Sequence, residues 1–244
     1  KDGHLVMAYL FLKAQGLAGK PVADIRIDGA GKKVTRSDNC RVSDLSVSSD
    51  NLTFTYEAKS LPYPIDTSYY DNEKHTQADA LSVIPFMDEM NYEGLSVSGL
   101  SDGYYGLTIG GEFIGRFTAR ELERGINMAL LQNTPQYKQA MKIRQMNEER
   151  WLKERKMREF YWVEYNLMRK TGMLWACNEA AVDTLRKYRP HDIFLQWNGD
   201  LWLQYMHKGI REDCVNEQQD LVNQIYEQNK PIPLRIEIKK FTDL

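Results

Sequence analysis

The sequence predicts an α+β chain in three parts, and three observations carry that reading. A run of eight apolar residues, Leu5 to Leu12, lies in a helix-forming stretch that Gly16 is placed to stop. From Pro21 to Thr118 the texture changes to short alternating or β-branched runs separated by Gly, Asp, Asn and Ser. After Thr118 helical periodicity returns, and the chain closes on "IPLRIEIKKF", which alternates like a strand. The expected parts are an apolar helix over 1–19, a small β-sandwich over 20–118, and a mainly helical region with a final strand over 119–244.

The first helix is apolar around its whole circumference, so it demands cover on most sides. It does not read as a secretory signal, because Lys13, Gln15 and the turn residues Gly16 and Gly19 follow where a small-residue cleavage site belongs. It is also too short for a membrane span, which needs about 20 apolar residues. Left uncovered, such a helix exposes a sticky patch. Residues preceding Lys1 are therefore the expected source of its cover, with self-association as the alternative.

The strand runs are "VADIRID", "CRVSDLSV", "NLTFTYEA", "GLSVSG", "YYGLTIGG" and "EFIGRFT", spaced as in a small sandwich. Gly110 and Gly111 read as the two turn residues of a hairpin. Between the strands, Ser60 to Leu81 has two prolines and a polar tail and reads as a long loop. Long ordered loops often carry function, and this one presents Tyr63, Tyr69, Tyr70 and His75 as candidates for the rim of a substrate site. A surface excursion that packs its own tyrosines is the competing reading.

Thr118 and Glu121 fit a capping box that opens a helix. Thr134 as N-cap and Pro135 at the first position start a second, longer helix. In it Met146, Met157 and Met168 recur every eleven residues, a packing row, while Glu149 with Lys153 and Glu154 with Arg158 pair on the wet side. Gly172 ends that helix, "MLWACNEAAVDTLRKY" supplies another up to Pro190, and Glu212 to Gln228 is helical again. "IFLQWNGDLWLQYM" is aromatic-rich and fits neither period clearly, and in the last strand Leu234, Ile236 and Ile238 share one face.

Composition advertises no partner. With 32 basic against 34 acidic residues, nothing argues for nucleic acid or an anionic membrane. Cys40, Cys177 and Cys214 lie far apart without metal-site spacing, and no metal or cofactor is expected. The histidines His4, His75, His191 and His207 are scattered, there is no Gly-x-Ser-x-Gly, and "GAGKKVT" lacks the first glycine of a phosphate loop. Asn51-Leu52-Thr53 matches a glycosylation sequon. No catalytic residue is assigned within the chain.

"DGHLVMAYLFLKAQGL" resembles the segment that, in SGNH or GDSL-type hydrolases, follows the Asp-x-x-His-Pro block, with Gly3, His4, Met7 and Ala8 fitting its Gly-His-x-x-Met-Ala part. "LPYPID", "GLSDGYYGLTIGGEFIG", "ELERGINMA" and "NTPQYKQA" look like phrases of the C-terminal extension of a bacterial subgroup of that family. The resemblance implies that the first helix belongs to a flavodoxin-like α/β domain. It also implies that the nucleophilic Ser and the catalytic His and Asp lie before Lys1, and that His4 is the second, non-catalytic histidine of the pattern. It further implies a secreted or periplasmic protein.

On this basis the chain is expected to be the C-terminal part of an ester hydrolase, inactive alone. Its partner would be the missing N-terminal half and its substrate an ester or acylated glycan. Two other readings stay open. One is a non-catalytic glycan-binding module that uses the tyrosines of the 60–81 loop. The other is an assembly role in which the long Met-row helix packs on another chain.

Overall fold

The computed structural model describes residues 2–68 and 74–241, in which the short alternating runs become strands of two sheets. In chain order these are β1 (Ala23–Asp28), β2 (Lys33–Asp38), β3 (Cys40–Val47), β4 (Asn51–Ala58), β5 (Glu93–Ser98), β6 (Tyr104–Ile109), β7 (Glu112–Thr118), β8 (Ile126–Asn127) and β9 (Leu234–Lys240). The helices are α1 (Asp2–Ala14), α2 (Phe86–Glu89), α3 (Ala119–Arg124), α4 (Pro135–Val163), α5 (Glu179–Tyr188), α6 (Ile193–Tyr205) and α7 (Lys208–Gln228). The fold class is α+β, with a mainly helical C-terminal region that ends in a strand.

One sheet runs β2-β1-β5-β8 and the other β3-β4-β9-β6-β7. In the first, β1 and β5 pair parallel with Ile25 opposite Leu95 and Ile27 opposite Val97, so one face is apolar apart from Glu93 at its end. In the second, Phe54 pairs with Ile236 and Leu107 with Ile238. These faces share one buried cluster. Each such side chain contributes roughly 1.5–3 kcal/mol by leaving water.

β9 lies between β4 and β6, so its partners belong to the 20–118 span rather than to the helical region in which the sequence reading had placed it. Alternation identifies the buried face of a strand and says nothing of its neighbours. The hairpin is as expected, with Gly110 and Gly111 both at positive φ between β6 and β7. β2 was not anticipated. Nearly every residue of it is exposed, and it holds its place by antiparallel pairing with β1, a charged edge of the kind that discourages further strands.

By its contacts the chain divides into two units, Lys1–Lys142 with Asn229–Leu244, and Ile143–Gln228. In the first unit the Thr118 capping box forms, Thr118 Oγ accepting from the Glu121 amide. α3 then stops at Gly125, which takes a positive φ, so the helix is shorter than its sequence suggests. In the second, Met157, Phe160, Val163, Met168, Leu185 and Trp202 form the core. Met157 and Met168 of the Met row thus pack inward while Met146 is half-buried outside this cluster, and Gly172 sits at positive φ just after Met168. The ambiguous aromatic stretch is α6, capped by Asp192, whose Oδ1 accepts from the Phe194 and Leu195 amides. Among the described residues no helix is long and apolar enough to cross a membrane.

Candidate functional site

α1 has one dressed side and one bare side. Leu5 and Tyr9 are buried with Ile65, Ala80, Ile84 and Phe86, and the Tyr9 hydroxyl donates to Glu89 at 2.7 Å. Lys13 completes that corner by binding the same carboxylate and the Tyr9 oxygen, which holds the Glu89 carboxyl below its ordinary range. On the other side Met7, Leu10 and Phe11 are 63%, 56% and 64% exposed. The helix that the sequence marks as apolar all round is therefore half covered.

The stretch from 60 to 81 supplies much of that cover. Tyr63 sets its ring edge-on to Phe86 at 5.6 Å, its amide donates to Asn91 and its hydroxyl accepts from Gln77. Tyr63 therefore packs on its own unit while keeping a partly exposed ring. His75 is exposed, 3.9 Å from the Asp79 carboxylate. Tyr69 and Tyr70 lie outside the described residues. The Asn51 side chain of the sequon is engaged between strands, donating to Glu237 at 3.0 Å.

Two glutamates, Glu93 and Glu164, are buried in the interiors of the two units. Glu93 Oε1 accepts from the Tyr56 hydroxyl at 2.8 Å and from Gln136 Nε2 at 3.1 Å. Its Oε2 and the Oε1 of Gln136 have no partner. Burial outweighs those bonds and pushes its pKa up to about 7, so a protonated Glu93, whose Oε2 can donate, suits the site better than an anion. Glu164, in a π-helical turn over Glu164–Met168, accepts from Trp202 Nε1 and from the Trp175 amide, each at 2.8 Å. Both side chains are sealed, Glu93 at 0% and Glu164 at 1% exposure, so neither can meet a substrate.

The exposed chemistry lies elsewhere in the helical unit. Cys177 Sγ stands 3.4 Å from His207 Nδ1, but among the described residues no group orients the other imidazole nitrogen, so the pair lacks the third member of a triad. A cleft of about 360 Å³ opens between the end of the long helical segment and the turn before α6. Its walls include Trp162, Asn166, Lys170, Tyr188, His191 and Asp192. Among the described residues no three His, Cys, Asp or Glu side chains gather to hold a metal ion.

The sequence reading singled out neither acid; the signal it passed over is a carboxylate on the same strand face as Leu95 and Val97 for Glu93, and one among Phe160, Val163, Leu167 and Met168 at helical spacing for Glu164. The cleft was not visible, because it joins residues from three local segments.

With that geometry in place, the comparisons identify what the helical unit is like. Residues 141–230 match the family model of the diltiazem deacetylase C-terminal helical domain. A solved gut microbial diltiazem-metabolizing enzyme is similar over 98% of this chain, at 39% identity and a TM-score of 0.92. The chain covers 54% of that enzyme, so it spans about half the length of the structure it matches. No curated protein matches the chain. The likeness is thus to a hydrolase-related C-terminal region, and its 98% span takes in both units.

Proposed function

We propose that the chain is the C-terminal part of an SGNH-type ester hydrolase whose nucleophile, base and orienting acid lie in an α/β portion outside these residues. The observation that carries this reading is the bare side of α1, where Met7, Leu10 and Phe11 are exposed together on a helix whose opposite side is packed. A contiguous apolar face of this kind marks an interaction surface. A matched diltiazem-metabolizing enzyme almost twice as long, together with the diltiazem deacetylase C-terminal domain that residues 141–230 match, supports a hydrolase as the whole. The Gly3-His4-x-x-Met7-Ala8 pattern supports the SGNH subtype.

In this reading the packing of Leu5 and Tyr9 against Ile65, Ala80, Ile84 and Phe86 fixes α1 in place, and Tyr63 and His75 lie in the stretch that forms a rim. The chain supplies no acyl-transfer step of its own, since the exposed Cys177 and His207 lack an orienting partner and the buried carboxylates are sealed. The test is hydrolysis of 4-nitrophenyl acetate by this chain and by the longer protein. The chain alone is expected to match the uncatalysed rate while the longer protein turns over. Saturable turnover by the chain alone would overturn the reading.

A further inference from the structure

We propose that the cleft of the helical unit binds a neutral saccharide. A sugar ring presents an apolar C–H face together with hydroxyls that both donate and accept, so its site needs an aromatic plane beside closely spaced donors and acceptors. The cleft has that combination. Trp162 forms part of the wall and Tyr188, 42% exposed, stands with it among the lining groups. Between them the Tyr188 hydroxyl, the His191 imidazole and the Lys170 ammonium have no hydrogen-bond or ion-pair partner among the described residues. Asp192 uses Oδ1 to cap α6, which leaves Oδ2 to accept from a ligand.

Several charged groups elsewhere in the unit are already paired. Arg186 binds Glu179 and Asp183, Arg189 grips Asp200 with two bonds, and Lys153 pairs with Glu217. One cation and one carboxylate in the cleft leave no net charge to favour an acid, and an apolar ligand would leave the polar lining without partners. The aromatic wall also continues outward, Trp162 to Phe194 at 5.2 Å and Phe194 to Trp197 at 5.5 Å between ring centres, with Trp197 67% exposed. That row is long enough to meet more than one sugar ring. These residues differ from the 60–81 tyrosines, and the binding needs no catalysis, so the inference stands apart from the hydrolase reading.

The experiment is ligand-observed NMR and calorimetry on the whole chain with cellotetraose, xylotetraose, mannotetraose and an N-acetylglucosamine tetramer, with 3-phenylpropionate as the apolar-anion control. At least one tetrasaccharide is expected to saturate with a Kd near or below about 1 mM. Tyr188→Ala and His191→Ala are each expected to weaken it by about tenfold or more without moving the melting curve, since both side chains are exposed. Trp197→Ala is expected to weaken the tetrasaccharide more than the matching disaccharide. No saturable saccharide, binding of the control alone, or unchanged binding by the Tyr188→Ala/His191→Ala double variant overturns the inference.

Discussion

Glu93 links the interior of the first unit to pH, and its sign follows from its raised pKa. The unfolded chain ionises Glu93 near 4.5, whereas the folded chain holds the proton up to about 7. Its favourable share of stability is therefore complete below about pH 4.5, declines between about 4.5 and 7, and is lost above, a fall on the order of 3 kcal/mol. Glu93→Gln keeps an acceptor for Tyr56 and Gln136 and offers an amide N–H toward the unpartnered Gln136 oxygen. Urea midpoints taken from pH 5 to 8 should show the variant gaining on the parent as pH rises; parallel curves would contradict the assignment. Glu164→Ala strips the partner from Trp202 Nε1 and the Trp175 amide and should cost about 2–4 kcal/mol in thermal or urea melts, with Glu164→Gln costing less. Both acids went unremarked in the sequence although each sits on an apolar face, and their partners carry no local signal. Tyr56 and Gln136 lie 37 and 43 residues from Glu93, and nothing in local spacing joins them.

Local rules held for single elements wherever a few neighbouring residues decide the outcome. The Thr118 cap, the paired glycines at 110 and 111, and the buried face of β9 all follow from spacing alone. Thr118→Ala should cost about 1 kcal/mol in a chemical melt, because the Glu121 amide loses its acceptor. The same rules do not choose partners. β2 carries almost no buried side chain to announce it, and β9 reaches its place in the sheet from the far end of the chain. α1 shows the limit most clearly, since its sequence calls for cover on most sides and the folded chain provides it on one. Leu5→Ala should cost about 2–5 kcal/mol, whereas replacing Met7, Leu10 and Phe11 together by Gln should leave the isolated chain's stability nearly unchanged. Sedimentation of the two forms should also differ, the parent associating and the triple variant remaining monomeric; identical profiles would mean that the bare side is not adhesive.

At the scale of the whole molecule, one unit holds two sheets with a common core and a helix with a bare apolar side, and the helical unit carries an open polar cleft. Motif reading could test only for the patterns it knows, and it found neither a Gly-x-Ser-x-Gly nor a phosphate loop in the sequence. It could not show the cleft, which exists only once Trp162, Tyr188 and His191 are brought together by folding. The proposed division of labour is a catalytic α/β portion outside these residues and a structural, ligand-holding portion within them. Labelling the longer protein with a fluorophosphonate and mapping the modified peptide tests that division most directly. The label is expected on a serine outside residues 1–244, and a stoichiometric label on any serine within them would contradict it.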